Sequence, residues 1–142
     1  MELRFFVCEH CGNMVEMVKS SGVPMMCCGQ KMTEIIPGTV DAAREKHVPV
    51  YEVNGNAVLV RIGAVEHPMQ DVHYIEWIAL QTRQGVQRKA LKPGEKPEAS
   101  FALCEGDEVV AAYAYCNCMG FGRRNIYKKT AAQAAFFAIL IV

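Results

Sequence analysis

His67-Pro68-Met69-Gln70-Asp71-Val72-His73-Tyr74-Ile75-Glu76-Trp77-Ile78 leads from two histidines six residues apart into a strongly alternating run, Tyr74 to Leu80. Period-two alternation of this kind reads as a strand with one face buried. Six extended residues cover roughly 20 Å, whereas two ligands of one metal ion sit only a few ångström apart. If both histidines serve one ion, the chain must double back between them. Pro68, with a fixed φ and no amide to donate, marks a place for that bend. Taken alone, the pair reads more readily as two unrelated loop histidines. The rest of the chain has to decide.

The strand reading extends outward on both sides. Val48 to Val53, Asn54-Gly55 and Ala57 to Val65 give a hairpin signal. Gly85 turns into Val86 to Leu91, and Lys92-Pro-Gly-Glu-Lys-Pro97 is a loop. Ala99 to Cys104 and Glu108 to Cys116 form a last pair around Gly106. Short strands with turn signals about every eight to twelve residues predict a mainly β domain, an antiparallel sandwich or barrel. No helical period of useful length precedes residue 130. Cys104, mid-run in an apolar pattern, is expected to be a buried structural thiol.

The chain has 142 residues, 51% of them apolar, which is enough for a real core. Fifteen basic residues balance fifteen acidic ones, so no electrostatic footprint for nucleic acid is present. The start, Met-Glu-Leu-Arg-Phe-Phe-Val-Cys, has no secretory apolar region of useful length, so a cytoplasmic location is expected. The final apolar run, Ala131 to Val142, is shorter than the roughly 20 residues of a membrane span. Seven cysteines in such a chain point to metal or redox chemistry rather than a disulfide framework.

Four of those cysteines lie near the N-terminus. Cys8-Glu-His-Cys11-Gly12 is a metal knuckle: two thiolates three positions apart close on one ion, and Gly12 permits the turn behind them. The second pair, Cys27-Cys28-Gly29, is adjacent. Neighbouring side chains of an extended chain point to opposite sides, so this pair must wrap awkwardly and distort the tetrahedron. All-thiolate tetrahedral sites hold zinc or iron, and the spacing does not choose between them. His10 is expected to be a solvated loop residue. Met14, Met17, Met25, Met26 and Met32 read as soft packing for a thin core. Further on, His47, His67, His73 and Cys116 each fall at or near a predicted strand end, where the loops of a sandwich converge. Three imidazoles and one thiolate suit a catalytic zinc or an iron in a mixed nitrogen and sulfur shell.

These motifs together resemble desulfoferrodoxin, the two-iron class of superoxide reductase. The likeness covers residues 1 to 117. It rests on Cys8-x-x-Cys11 with Cys27-Cys28, Glu45-Lys46-His47-Val-Pro-Val, His67-Pro-Met, His73-x-Ile-Glu-Trp-Ile, Leu91-Lys-Pro-Gly and Tyr115-Cys116-Asn117. The resemblance implies a desulforedoxin-like module at 1–37 with an iron tetrathiolate centre on Cys8, Cys11, Cys27 and Cys28. It implies an immunoglobulin-like β-sandwich at 38–122 with a second iron, His47, His67 and His73 being equatorial ligands and Cys116 axial. It further implies superoxide as substrate and Lys46 drawing in the anion and helping protonation, with Glu45 able to occupy the open position. Rubredoxin is the implied electron donor and a homodimer the implied assembly. An electron carrier using only the N-terminal centre is the alternative, and a zinc-ribbon-like interaction module with no redox role stands behind it.

The chain departs from that family after Asn117. Where the family carries Leu-His-Gly-Leu-Trp-Lys-Ala, including a fourth equatorial histidine, this chain has Cys118-Met119-Gly120-Phe121-Gly122-Arg123-Arg124. Met119 stands at the histidine's position, and a thioether is a poor substitute for imidazole on ferrous iron. A one-base frameshift accounts for the change: suitable codons for Cys118 to Arg124, preceded by one restored base, read Leu-His-Gly-Phe/Leu-Trp-Lys-Ala. The stretch 123–142 is then an atypical tail. The alternative is a genuine C-terminal extension beside an altered second centre, with weaker iron binding and Cys118 as a stray thiolate. The nucleotide sequence decides: the frameshift predicts a histidine in the shifted frame, and codons that cannot yield one end the idea.

Overall fold

The chain forms two units, Met1–Ile36 and Pro37–Val142, which solve the problem of burial differently. The computed structural model describes residues 2–38, 47–117 and 125–131. Their named elements are all β-strands. No helix among the described residues is long and apolar enough to cross a membrane.

In the N-terminal unit, β1 (Phe5–Val7) is the centre of a three-stranded antiparallel sheet, flanked by β2 (Met14–Glu16) and β5 (Thr33–Ile35). A two-stranded ribbon, β3 (Met26–Cys27) with β4 (Gln30–Lys31), completes it. The core is thin. Leu3, Phe5, Phe6, Val7, Cys8 and Met32 are buried, and Val15, Met17, Met25 and Cys27 pack partly against the cluster of Phe6, Cys8 and Met32. Three of the five methionines read as packing residues lie in this cluster, but Met26 is exposed.

In the second unit, β6 (Pro49–Asn54), β7 (Ala57–Ile62) and β10 (Glu98–Ala102) form one sheet in the order β10-β7-β6. The other sheet, in the order β12-β11-β8-β9, comprises β8 (Ile75–Thr82), β9 (Val86–Ala90), β11 (Val109–Cys116) and β12 (Asn125–Thr130). All neighbouring strands run antiparallel. Val58, Val60 and Ile62 of β7 and Ala99 and Phe101 of β10 share one core with Ile78 and Leu80 of β8 and Ala112, Ala114 and Cys116 of β11. Alternate residues of both sheets therefore point inward, the arrangement of a β-sandwich.

Details depart from the sequence reading. Asn54 pairs with Ala57, so the hairpin loop is Gly55-Asn56 rather than Asn54-Gly55. Gly55 takes φ +62° at the first loop position, where a glycine-led two-residue hairpin turn needs it. Cys104 lies beyond the end of β10 and is exposed, so it is no buried structural thiol. The apolar pattern continued past the last ladder pair, Ala102 with Ala57, and periodicity alone could not show where pairing stops. Strand β12, assigned from sequence to the tail, pairs along β11 from Cys116–Asn125 to Ala111–Thr130.

Candidate metal centres

The N-terminal site is built by two turns. Val7 pairs with Met14, and the loop between them is tightened by Cys8 N–H donating to Asn13 O (2.8 Å) and Gly12 N–H donating to Cys8 O (2.9 Å). Gly12 closes it with φ +80°. Opposite, Cys27 pairs with Gln30, leaving Cys28-Gly29 as a two-residue loop. Both loop residues have positive φ, 50° and 74°, the geometry of a type I′ turn. The turn solves the problem of the adjacent cysteines: left-handed backbone at Cys28 swings its side chain back beside that of Cys27. A side chain held there costs about 1–2 kcal/mol, so the turn needs a compensating interaction. Cys8, Cys11, Cys27 and Cys28 bring their sulfurs within 4.8 Å of one another. His10 is exposed and outside the group.

Cys11 and Cys27 sulfurs lie 3.5 Å apart, and Asn13 Nδ2 donates to Cys27 Sγ at 3.7 Å. The backbone N–H of Cys11, and then that of His10, stabilises the Cys8 thiolate and brings its pKa down to about 6. Hydrogen bonding to Cys11, followed by burial, pushes Cys28 up to about 12; Cys27 is raised by the same Cys11 sulfur and by Cys8. Without an ion, four crowded sulfurs keep protons between them. Four thiolates around one ion relieve that crowding.

The second site lies at one end of the sandwich. His47 lies two residues before the start of β6, His67 and His73 lie in the connection from β7 to β8, and Cys116 ends β11. Because β6 pairs with β7 and β8 with β11, those ends meet. The ligand atoms of His47, His67, His73 and Cys116 lie within 4.8 Å of one another. His67 stands edge-on between the other two rings, with centroids 4.5 Å from His47 and 4.7 Å from His73. The rings of His47 and His73 are nearly parallel, 5.9 Å apart. His67 Nδ1 meets the Pro68 carbonyl at 2.6 Å, which turns Nε2 inward, 3.4 Å from Cys116 Sγ. His67 is 2% exposed and Cys116 0%. Burying so many polar donors together is costly unless a partner satisfies them.

The chain does double back between His67 and His73, but not at Pro68. The reversal is Gln70–His73, closed by Gln70 N–H to His73 O (3.0 Å) and His73 N–H to Gln70 O (2.9 Å). Pro68 instead supplies the carbonyl that orients His67. Two supports escaped the sequence reading. Met69 Sδ accepts the Ile75 amide at 3.4 Å, and its carbonyl accepts Gly94 N–H at 2.8 Å. Asn117 Oδ1 accepts Tyr74 N–H at 2.8 Å, while Asn117 N–H donates to Tyr74 O at 3.2 Å. This reciprocal clamp ties the residue after Cys116 to the residue after His73. Both sit inside quoted motifs, where a side chain beside a ligand is the signal for support. Glu45 and Lys46, and likewise Cys118 and Met119, lie outside the described residues.

One tetrathiolate group on a small β module and one three-histidine, one-cysteine group on a β-sandwich define a two-centre metalloprotein. The desulfoferrodoxin family model matches residues 39–124. The chain is 45% identical over 118 residues to a desulfoferrodoxin homolog of Archaeoglobus fulgidus, covering 83% of this chain and 93% of the relative. It is 44% identical over 119 residues to desulfoferrodoxin of Nitratidesulfovibrio vulgaris, covering 84% and 93%. The crystal structure of the superoxide reductase from Treponema pallidum superposes with a TM-score of 0.73 at 36% identity, covering 91% of this chain and 98% of that one. This chain belongs to the desulfoferrodoxin family, and its two donor groups match that family's two iron centres.

Two measurements check the geometry. Metal binding to the apoprotein at neutral pH is expected to release the Cys27 and Cys28 protons, visible with an indicator dye in weak buffer. Affinity at that site should then fall with acidification, most steeply as Cys8 protonates through about pH 6. Asn117→Ala breaks one arm of the Tyr74 clamp and is expected to cost about 0.5–1.5 kcal/mol of stability in urea. Its second-site iron should be lost to a chelator about tenfold faster; unchanged retention would mean the clamp does not hold the ligands.

Proposed function

We propose that the chain is a superoxide reductase, adding one electron and two protons to superoxide to give hydrogen peroxide. The observation that carries this reading is the convergence of His47, His67, His73 and Cys116 at one end of the sandwich in a desulfoferrodoxin-family chain. Iron bound there would supply one-electron redox chemistry. His47, His67 and His73 would hold the ion as neutral imidazole donors. Cys116 would supply a thiolate donor, whose push of electron density is the lever also used in thiolate haem proteins.

Lys46, next to His47, is assigned two tasks: attracting the substrate anion and relaying a proton to the product through water. Glu45 would offer a carboxylate to the metal when substrate is absent. Cys8, Cys11, Cys27 and Cys28 would hold the other iron as an electron store, refilled by a small carrier such as rubredoxin. The proposed setting is detoxification in the cytoplasm, as a homodimer. A second reading, an electron carrier with a crippled sandwich site, is favoured by one feature, Met119 where the family has its fourth histidine.

Pulse radiolysis of the iron-loaded chain separates the two. The enzyme reading expects second-order loss of superoxide together with a thiolate-to-iron absorption band that Cys116→Ala abolishes. Lys46→Ala should lower the rate about tenfold and flatten its dependence on ionic strength. A chain that keeps its tetrathiolate colour yet leaves superoxide decay at the spontaneous rate is a carrier.

A further inference from the structure

The sulfurs of the N-terminal site are not surrounded alike. Cys8 is buried and has the backbone N–H groups of Cys11 and His10 beside it. Cys27 is half-buried and meets a side chain, with Asn13 Nδ2 3.7 Å from its Sγ. Asn13 is the last loop residue before β2, and its carbonyl accepts the Cys8 amide at 2.8 Å. It thereby joins the two cysteine pairs, one through its backbone and the other through its side chain. A thiolate bound to an ion has lone pairs and no proton, so the amide nitrogen, not the amide oxygen, must face it.

We propose that Asn13 raises the reduction potential of the N-terminal iron centre by donating its side-chain N–H to the Cys27 thiolate. A centre of one iron and four thiolates gains a negative charge on reduction. A donor aimed at one of its sulfurs binds the more negative state more strongly, which favours the reduced form. Asn13 is exposed, and water moderates the bond. The expected effect is therefore about threefold in the ratio of reduced to oxidised centre, which on a one-electron couple is roughly 30 mV.

Exposure also separates this role from a structural one. Truncating an exposed side chain opens no cavity, and the bond from the Cys8 amide to the Asn13 carbonyl is backbone and survives substitution. The use of such a bond rests on the electron-store role proposed above: a higher potential keeps the store filled.

Redox titration of the full-length, iron-loaded chain, followed by the visible absorption of the ferric tetrathiolate, gives the potential without superoxide. Asn13→Ala should lower the reduced-to-oxidised ratio about threefold at a fixed solution potential, roughly 30 mV. Asn13→Asp keeps the shape but turns a carboxylate oxygen toward the sulfur, and should lower the potential further. An Asn13→Ala potential equal to or above that of the parent chain would overturn the proposal. Spin-active cadmium in place of iron tests the bond in the unsubstituted chain, whether or not a variant loads iron. A magnetic coupling between an Asn13 side-chain proton and the metal, carried through Cys27, is expected; its absence would equally overturn the proposal. Superoxide loss is followed separately on the parent chain. Decay at the spontaneous rate there would count against the enzyme reading and leave the effect of Asn13 on the potential standing.

Discussion

The pairing of β8 with β11 is the constraint on which the second site depends. Ile75 opposes Cys116, while two residues along β8 Trp77 opposes Tyr115, one residue along β11. Glu76 is the extra residue of a bulge. Ile75 and Ile78 are three positions apart, yet both enter the same core, which a regular strand with period two cannot manage. The bulge restores the parity. It lets Ile75 and Cys116 face inward together while Trp77 and Tyr115 stack on the opposite face, ring centroids 5.7 Å apart. Bulges recur beside functional sites because they re-aim a side chain. Here a one-residue slip would carry Cys116 out of the core and away from His67.

The histidines are held by backbone rather than by bulk. Two bonds close Gln70 on His73, two close Asn117 on Tyr74, and the Met69 thioether takes the Ile75 amide. Each satisfies a polar group in a connection that leaves the ladder, where unpaired amides are expensive. The segment is thus fixed at both ends and in the middle. Only side-chain rotation remains for the imidazoles, and the Pro68 carbonyl removes that freedom from His67. Ligands preset in this way spend little entropy when an ion arrives.

How much of this was legible in sequence follows from range. The strands and the sandwich class could be read because alternation and turn residues are local signals. The ligand types and their grouping at strand ends could be read for the same reason. The reversal at Gln70–His73 could not, because it depends on backbone bonds between residues with ordinary turn propensity, whereas Pro68 carries the louder label. The bulge at Glu76 was invisible, since it answers a parity conflict between Ile75 and Ile78 that appears only when both are packed. The adjacent cysteines gave a half-correct reading. Awkward geometry was foreseen, but its solution lies in Gly29 extending positive φ from Cys28 into a tight turn. Cys104 was misread because an apolar run does not say where its partner strand ends.

The two centres differ in what their protein can do without metal. In the N-terminal unit the buried residues are only Leu3, Phe5, Phe6, Val7, Cys8 and Met32 among those described, so one core residue is itself a ligand, and another ligand, Cys27, packs against it. A core that small supplies little free energy, and a strained turn at Cys28 adds to the deficit. Folding and metal binding are therefore one event there. In the sandwich, Cys116 is one member of a core carried by Val58, Val60, Ile62, Ile78, Leu80 and Phe101, none of which touches the ion's chemistry. The core of that unit does not depend on its donors being filled.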